Sequence, residues 1–516
     1  MGWQMKFNHL IIGSLILTFG ISLFIRVYKL GESPRSVNWD EAAIGYNAFA
    51  LYKTGHDEFG KYFPLSLQSF DDYKPALYTY FSVLPIALFG LNDVSVRLPS
   101  AVFGSILPII LIILISKITK DWRVGILSGL LLAFEPWALH FSRIAFEANI
   151  AIVLLYIGIA VILVFKKPYW GIVFGVLSMY GYHAQRVIAL PIIFILIYFK
   201  NKMRPKVFLL TGFLLIPLAM NFTKQPITAR FAATSIFKLA PYVPEKYQDN
   251  YSQTTAFGNQ VIGRYLAYYS PANLFVRGSN EPVLRTPGNG MLTSFGFGFW
   301  LIGFGYLIKN VKKYKYLLPI FLLAPLPGVI TWNWFSAVRT LTLYPLFSFV
   351  TAIGLYQIYN LLKYKVLKIL LFLMFIPFWV YTINSEIAFA PVENYGEFQP
   401  GFEESVPYVL EKGKAFEKII VNSPQAAPYI FYNFYGQLDP SIYITKKTER
   451  GSNAGTEQDY QIGKFEFRKI LFEEEKDKNI LIAGTAVSIK DGTPNTKDFY
   501  DPKGYVSVRV YAPSKE

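Results

Sequence analysis

The sequence predicts a polytopic α-helical membrane protein that carries a soluble α/β or β-rich carboxyl-terminal domain. Of its 516 residues, 53% are hydrophobic and only 16% are charged, whereas soluble domains average about 25% charged residues. The net charge is +16, yet residues 384–516 hold 16 basic against 20 acidic groups, so the positive excess lies within residues 1–383. This distribution favours a membrane protein over a nucleic-acid-binding one. The sequence has no cysteine, which excludes disulfides and thiolate metal sites.

The membrane part contains about eleven apolar runs, several of them shorter than the roughly 17 residues that a spanning helix needs. They lie at residues 7–25, 98–115, 124–139, 150–165, 169–182, 187–199, 207–220, 291–308, 316–330, 338–362 and 366–383. Lysine and arginine cluster in every second connection, which predicts that these connections face the cytoplasm. With the amino terminus inside, an odd number of spans puts the carboxyl-terminal domain on the extracytoplasmic side of the cell membrane.

A further apolar run, residues 76–90, follows Pro75 and is interrupted by Pro85. Counting it as a span would break the alternation of basic connections, so we predict an interfacial helix on the outer side. The predicted domains are a membrane domain, residues 1–383, with outer loops 26–97 and 221–290, and an extracytoplasmic domain, residues 384–516.

The carboxyl-terminal domain has a different sequence pattern from the membrane part. Short runs rich in β-branched and aromatic residues alternate with Pro, Gly, Asn and charged residues, which predicts strands separated by turns. These runs lie at residues 419–421, 429–435, 442–444, 480–482 and 505–511.

Acidic residues are concentrated in the first outer loop, where eight of the 14 acids of residues 1–383 lie between positions 32 and 93. Asp40 and Glu41 follow Asn38 at the predicted start of a helix. Asn38 and Glu41 have the spacing of a capping box, which would leave Asp40 as the freer carboxylate. Asp40 has two interpretations of equal weight, complementation of the helix dipole and a functional role.

Two further polar clusters lie in the same loop. Asp57 and Glu58 are flanked by glycines, which favours a polar turn. Asp72 and Lys74 precede Pro75, where an ammonium group and helix N–H groups together would form an anion site at the membrane surface. The alternative for Lys74 is a lysine that extends its ammonium from the bilayer to water.

Four arginines lie at predicted outer ends of spans, where the charge bias does not require them. They are Arg97, Arg143, Arg186 and Arg339, and we interpret them as a clamp for an anionic lipid headgroup. Glu147 lies four residues after Arg143 and has the spacing of an ion-pair partner. A lone histidine such as His183 is more often structural than a ligand, and the sequence shows no metal-binding motif.

These residues resemble the polytopic GT-C glycosyltransferases, specifically the bacterial type of glycosyltransferase family 39, which includes protein O-mannosyltransferases and aminoarabinose transferases. The resemblance covers residues 5–350. It rests, in chain order, on Asp40-Glu41, Lys74-Pro75 with Leu77-Tyr78, Arg97-Leu98-Pro99-Ser100, Pro136-Trp137, the stretch from Ser142-Arg143 to Glu147, and Arg339 with Pro345.

The resemblance implies transfer of a sugar from a polyprenyl-phosphate carrier to an acceptor hydroxyl on the extracytoplasmic side, with inversion at the anomeric carbon. Asp40 would be the general base, with Glu41 beside it. Four cations would hold the departing phosphate, namely Lys74, Arg143, Arg186 and Arg339. The substrate-orienting candidates are Glu147, Asp72, Asp57, Glu58 and His183. Several relatives have an acidic residue directly before the Lys-Pro step, where this chain has Tyr73, so the role of Asp72 stays open.

The implied partners are a polyprenyl-phosphate-linked sugar, the lipid bilayer and an acceptor protein, glycan or lipid, with no nucleic acid. The resemblance specifies no cofactor and leaves a divalent cation open. A lipid or glycolipid transporter or flippase is the alternative. That alternative predicts ionisable residues near the middle of the bilayer, whereas charges here lie at the ends of the spans.

Overall fold

The computed structural model describes residues 9–70, 72–201, 204–224, 235–236, 250–422, 427–442 and 460–513. The predicted fold class is confirmed: apolar helices make up most of the chain, and a β-sheet lies near its carboxyl end. The chain packs as two compact units, one formed by Met1–Tyr28 with Ser100–Glu386 and the other by Lys29–Pro99 with Ile387–Glu516. The division into a membrane domain and an extracytoplasmic domain at residue 383 stays a prediction.

The helices, numbered in chain order, begin with thirteen elements up to residue 323. They are α1 His9–Val27, α2 Trp39–Thr54, α3 Leu77–Phe89, α4 Asp93–Thr119, α5 Trp122–Phe134, α6 Pro136–His140, α7 Glu147–Leu163, α8 Pro168–Met179, α9 His183–Asn201, α10 Pro205–Lys224, α11 Asn250–Ala267, α12 Phe297–Lys309 and α13 Leu318–Leu323. The later helices are α14 Leu326–Val329, α15 Tyr344–Leu361, α16 Lys365–Leu373, α17 Phe375–Asn384, α18 Ala390–Glu393, α19 Phe402–Lys412, α20 Pro428–Tyr435 and α21 Phe472–Glu475.

Within the described residues, five helical stretches are long and apolar enough to cross a membrane: His9–Val27, Asp93–Thr119, His183–Lys200, Val338–Leu361 and Lys365–Glu393. Shorter apolar helices accompany them, and every predicted apolar run overlaps a helix of one kind or the other. The predicted interfacial helix is α3, with Pro85 inside it. The run at 316–330 is divided into α13 and α14 at Pro325, because proline cannot donate the backbone hydrogen bond of a continuing helix.

In the first unit, α12 and α15 cross at two glycines. A Cβ atom built on Gly354 would lie 1.8 Å from the carbonyl oxygen of Phe299, and one on Gly303 would lie 1.9 Å from that of Val350. The two backbones are therefore in direct contact, as small residues permit at helix crossings in membranes.

The second unit begins with the first outer loop. After α2 come two short antiparallel strands, β1 Ser66–Ser69 and β2 Asp72–Pro75, in a register that places Leu67 opposite Lys74. α3 follows directly.

The carboxyl-terminal part of this unit contains a six-stranded mixed sheet in the order β4-β5-β3-β6-β8-β7. Its strands are β3 Lys418–Val421, β4 Tyr460–Ile462, β5 Phe465–Phe467, β6 Ile480–Gly484, β7 Thr496–Tyr500 and β8 Val506–Tyr511. The central strand β3 runs parallel to β5 and β6, and the remaining pairs are antiparallel. Ile420 and Ile482 are fully buried at the centre of this sheet, so the sheet has an apolar core of its own.

Three of the predicted strands are confirmed as β3, β6 and β8, but residues 429–435 form the helix α20 instead of a strand. Pro428 occupies its first position, where a fixed φ favours a helix, and tertiary packing overrides the β-propensity of the aromatic residues. Most of the run at 442–444 lies outside the described residues, as does much of the second outer loop.

The glycine crossing gives a prediction of stability. Gly354→Ala places a methyl group against the Phe299 carbonyl, so we expect the free energy of unfolding to fall by about 1–3 kcal/mol, as for other overpacked sites. Gly305→Ala on α12 is the control, since nothing lies within 4 Å of its Cβ. Thermal unfolding in detergent measures both, and a Gly354→Ala protein that melts no lower than wild type would contradict the crossing.

Candidate active site

The first turn of α2 is fixed by the predicted capping box. The Asn38 side chain accepts a hydrogen bond from the Glu41 amide at 2.8 Å, and Glu41 Oε2 accepts one from the Asn38 amide at 3.2 Å. Both interactions satisfy N–H groups that have no partner within the helix. The helix start is thereby held rigidly, with Asp40 inside its first turn.

Glu41 also forms a buried, bidentate ion pair with Arg97. The Nε and Nη2 atoms of Arg97 each donate to a Glu41 carboxylate oxygen at 2.9 Å, and the two side chains are 0% and 1% exposed. Nη1 of Arg97 donates to the carbonyls of Leu30 at 3.1 Å and Pro34 at 2.8 Å. These contacts give Arg97 a structural role, which corrects its interpretation as part of a headgroup clamp.

Asp40 points away from this buried pair and forms an ion pair with Lys74. The Asp40 side chain is 35% exposed and that of Lys74 is 12% exposed. The Lys74 ammonium also lies 5.9 Å from the centre of the Phe70 ring, within the range of a cation–π contact. The structure therefore brings together a carboxylate and an ammonium group that the sequence separates by 34 residues.

Lys74 lies in the strand β2 and not at the amino-terminal end of α3, where the sequence predicts it, because α3 begins at Leu77 and not at Pro75. The predicted combination of helix N–H groups with this ammonium is therefore corrected: the immediate partner of the ammonium is Asp40.

The other acidic candidates of the outer loop make local backbone or side-chain contacts. Asp57 is buried, and its Oδ1 accepts from the amides of Phe59 at 2.9 Å and Lys61 at 2.8 Å, as expected for a polar turn. Glu58 exchanges two hydrogen bonds with Asn47 of α2. Asp72 Oδ1 accepts from the next amide in β2 at 2.8 Å.

In the first unit, Arg143 holds the end of α1. Its guanidinium is fully buried, and Nη1 donates to the carbonyls of Ile25 and Arg26 at 3.0 Å and of Tyr28 at 2.8 Å. Arginine near a helix carboxyl terminus satisfies carbonyls that lack helical partners. Glu147 begins α7 and is 8% exposed.

Arg186 and Arg339 are partly buried. Arg186 lies in the first turn of α9, contacts the ring Nδ1 of His183 at 2.9 Å and donates to the Met179 carbonyl at 3.2 Å. Arg339 interacts with the Tyr182 hydroxyl. Neither residue is as completely buried as Arg143.

Sequence reasoning missed a buried polar cluster of the first unit. His140 Nδ1 lies 3.0 Å from a carboxylate oxygen of Glu386, and Thr286 donates to the other oxygen at 2.9 Å. His140 directly follows the apolar run 124–139 and Glu386 lies three residues after the run 366–383, so a titratable residue just beyond the end of each run was the available signal. Among the described ranges, no group of three or more His, Cys, Asp or Glu side chains is arranged to hold a metal ion.

The family comparison is informative for the first part of the chain. Residues 16–201 match the model of the family described as dolichyl-phosphate-mannose-protein mannosyltransferase. This match confirms the resemblance predicted from the sequence. The matched part of the chain is similar to a family of glycosyltransferases. A search of curated proteins gives no significant match.

Comparison with solved structures shows that nearly the whole chain shares the fold of ArnT and AglB. The apo form of ArnT from Cupriavidus metallidurans has a TM-score of 0.53 at 10% identity, over 98% of both chains. ArnT from the same organism bound to undecaprenyl phosphate has a TM-score of 0.54 at 12% identity, over 98% of this chain and 99% of that one. The oligosaccharyltransferase AglB from Archaeoglobus fulgidus, with an inhibitory peptide and dolichol-phosphate, has a TM-score of 0.51 at 12% identity, over 98% and 74%.

The ion pair beneath the first turn of α2 gives a prediction of stability. Arg97→Leu leaves Glu41 buried without its cation, so we expect the free energy of unfolding to fall by about 3–5 kcal/mol. Arg35→Leu is the control, because Arg35 is 41% exposed and pairs with Glu403 and Glu404 at the surface, where a pair contributes at most about 1 kcal/mol. Equal losses in the two proteins, measured by thermal unfolding in detergent, would contradict a structural role specific to Arg97.

Proposed function

We propose that this GT-C glycosyltransferase moves a sugar from a polyprenyl-phosphate donor to an acceptor hydroxyl, with inversion at the anomeric carbon and Asp40 as the general base. The observation that carries the proposal is the ion pair between Asp40 and Lys74, in which the carboxylate is about one-third exposed and the ammonium lies against an aromatic ring. An acceptor can reach such a carboxylate, whereas the neighbouring Glu41 is enclosed.

The reaction forms the bond between the anomeric carbon and the acceptor oxygen, and it breaks the bond between that carbon and the phosphate oxygen. The proton of the acceptor hydroxyl passes to the Asp40 carboxylate. The leaving polyprenyl phosphate gains a negative charge, which a nearby ammonium stabilises. In this transition state, Asp40 thereby accepts the proton of the acceptor hydroxyl, and Lys74 stabilises the negative charge on the leaving phosphate.

Lys74 has two anionic partners in this proposal. In the structure it pairs with Asp40. A donor phosphate beside the ammonium shares its positive charge, which weakens the hold of Lys74 on the carboxylate and leaves Asp40 available to accept a proton. Occupancy of the donor site thus activates the base.

The remaining candidates have different parts in the proposal. Arg186 and Arg339 are retained as candidate phosphate ligands because neither residue is fully buried. Arg143 and Glu41 are assigned to positioning, since both are buried on backbone or ion-pair partners. The substrate-orienting candidates are kept as proposed, namely Glu147, Asp72, Asp57, Glu58 and His183.

The proposed donor lipid is consistent with the structural neighbours. ArnT has been solved with undecaprenyl phosphate and AglB with dolichol-phosphate and a peptide, so we propose a polyprenyl-phosphate sugar as donor and a protein, glycan or lipid as acceptor. The alternation of basic connections supports an extracytoplasmic active site and carboxyl-terminal domain. The transporter alternative is not favoured, because the matched family consists of transferases.

A base variant tests the role of Asp40. Asp40→Asn keeps the shape of the side chain but removes its ability to accept the proton, so we expect the rate of polyprenyl phosphate release to fall about 10²-fold or more. The assay gives the purified full chain a panel of polyprenyl-phosphate sugars. Glu32→Gln is the control, because Glu32 is an exposed acid of the same loop, paired with Lys29 at 3.1 Å. Turnover by Asp40→Asn at the wild-type rate would remove Asp40 from the base role.

A second variant tests Lys74. Lys74→Met keeps the length and apolar stem of the side chain but removes the charge that would hold the phosphate. We expect a higher KM for donor together with a lower kcat, about 10²-fold in kcat/KM, since the ammonium binds the donor phosphate and binds it more strongly as negative charge develops in the transition state. Lys29→Met, which removes an ammonium that is 45% exposed, should leave both constants unchanged. An unaltered kcat/KM in Lys74→Met would contradict phosphate binding by this residue.

A further inference from the structure

The helix α20 (Pro428–Tyr435) contacts the backbone that leads into α2. The Tyr435 hydroxyl accepts a hydrogen bond from the Val37 amide at 3.1 Å and lies 2.9 Å from Ser36 Oγ. Val37 directly precedes Asn38, the residue that caps α2. This hydroxyl therefore fixes the direction in which the chain enters the helix that carries Asp40.

The other end of α20 contacts the surroundings of Lys74. The Tyr429 and Phe70 rings are tilted against each other with centroids 6.2 Å apart, and the same Phe70 ring lies 5.9 Å from the Lys74 ammonium. Tyr429 is 4% exposed and also packs against Phe467 of β5, with centroids 6.4 Å apart. Phe70, the ring beside the Lys74 ammonium, is thus connected through Tyr429 to the carboxyl-terminal sheet.

Between these two ends, α20 and the residues after it pack closely along α2. A Cβ atom on Gly45 would lie 2.4 Å from Cε2 of Phe434, so only glycine permits this approach. The neighbouring Tyr46 donates its hydroxyl proton to the carbonyl of Leu438 at 3.0 Å. The contact is consequently continuous along much of α2 and not confined to one hydrogen bond.

We propose that α20 is the element that sets the geometry of the Asp40–Lys74 pair, with Tyr435 positioning Asp40 through the start of α2 and Tyr429 positioning Lys74 through Phe70. This inference rests on the proposed function and deepens it. The carboxyl-terminal domain then acts as part of the catalytic framework.

The chemistry of Tyr435 suits a fixed anchor. Burial, followed by the nearby Asp93 and Glu403 carboxylates, raises the pKa of its hydroxyl well above the ordinary value. The group stays protonated throughout the neutral range, so it can accept from the Val37 amide and donate at the same time. Its removal leaves a backbone N–H of the α2 start without this acceptor.

Two tyrosine variants separate the two ends of α20. Tyr435→Phe should lower kcat about tenfold or more with donor KM within about twofold, because a shift of the base costs rate while the donor site is intact. Tyr429→Leu should instead raise donor KM about fivefold with a smaller change in kcat, because it disturbs Phe70 and the ammonium beside it. A general loss of stability would not lower mainly kcat in one variant and raise mainly the donor KM in the other.

Two additional variants test the contact between α20 and α2 without removing the Tyr435 hydroxyl. Gly45→Ala forces Phe434 away from α2 and should reproduce the kcat loss of Tyr435→Phe. Tyr511→Phe is the matched control, because it removes a hydroxyl that donates to the Lys476 carbonyl at 2.9 Å within the same domain. It should match Tyr435→Phe in melting temperature and keep wild-type kinetics. Equal kinetics in Tyr435→Phe and Tyr511→Phe would overturn the proposal.

Amide hydrogen exchange in the full chain tests the inference without turnover. We expect faster exchange at residues 37–47 in Tyr435→Phe and Gly45→Ala than in Tyr511→Phe, which should match wild type there. Unchanged exchange at these residues overturns the positioning role whatever the activity. Faster exchange in a protein whose wild-type form turns over none of the donors supports the contact and overturns the proposed function alone.

Discussion

The buried pair of Glu41 and Arg97 is the constraint on which the geometry of the outer loop depends. A carboxylate and a guanidinium at 0–1% exposure are stable only with well-formed hydrogen bonds on both sides. Here they connect the first turn of α2, the carbonyls of the preceding loop and the start of α4. The result is a rigid base under Asp40, whose own side chain is left at the surface of the unit to pair with Lys74.

Adjacent acids thus have opposite environments. Glu41 is enclosed and makes contacts that stabilise the fold, whereas Asp40 is accessible and has one flexible cation as its partner. Side chains one position apart on a helix point in directions about 100° apart, so a single turn can present one carboxylate inward and the other outward. A pair of acids at a helix start is in this way both a structural element and a candidate base.

The sequence was sufficient to predict local features, but it did not predict contacts between residues that are far apart in the chain. Apolar run lengths predicted the helices, and the spacing of Asn38 and Glu41 predicted the cap. The partner of Glu41 lies 56 residues away, and no local pattern distinguishes a guanidinium that binds carbonyls from one that binds phosphate. Arg143 shows the same limit, since its contacts with the end of α1 span more than 110 residues. Tyr435 was missed for a related reason: its aromatic run suggests a strand, and only packing against α2 makes it a helix.

The pairing of residues 29–99 with residues 387–516 in one compact unit bears on the order of events during synthesis. The loop that carries Asp40 and Lys74 leaves the ribosome early, yet the helix that braces it is made roughly 330 residues later. At about 5–20 residues per second, that interval is some tens of seconds. During this time the loop cannot pack against α20. The contacts of α20 with α2 and Phe70 form only after α20 has been translated.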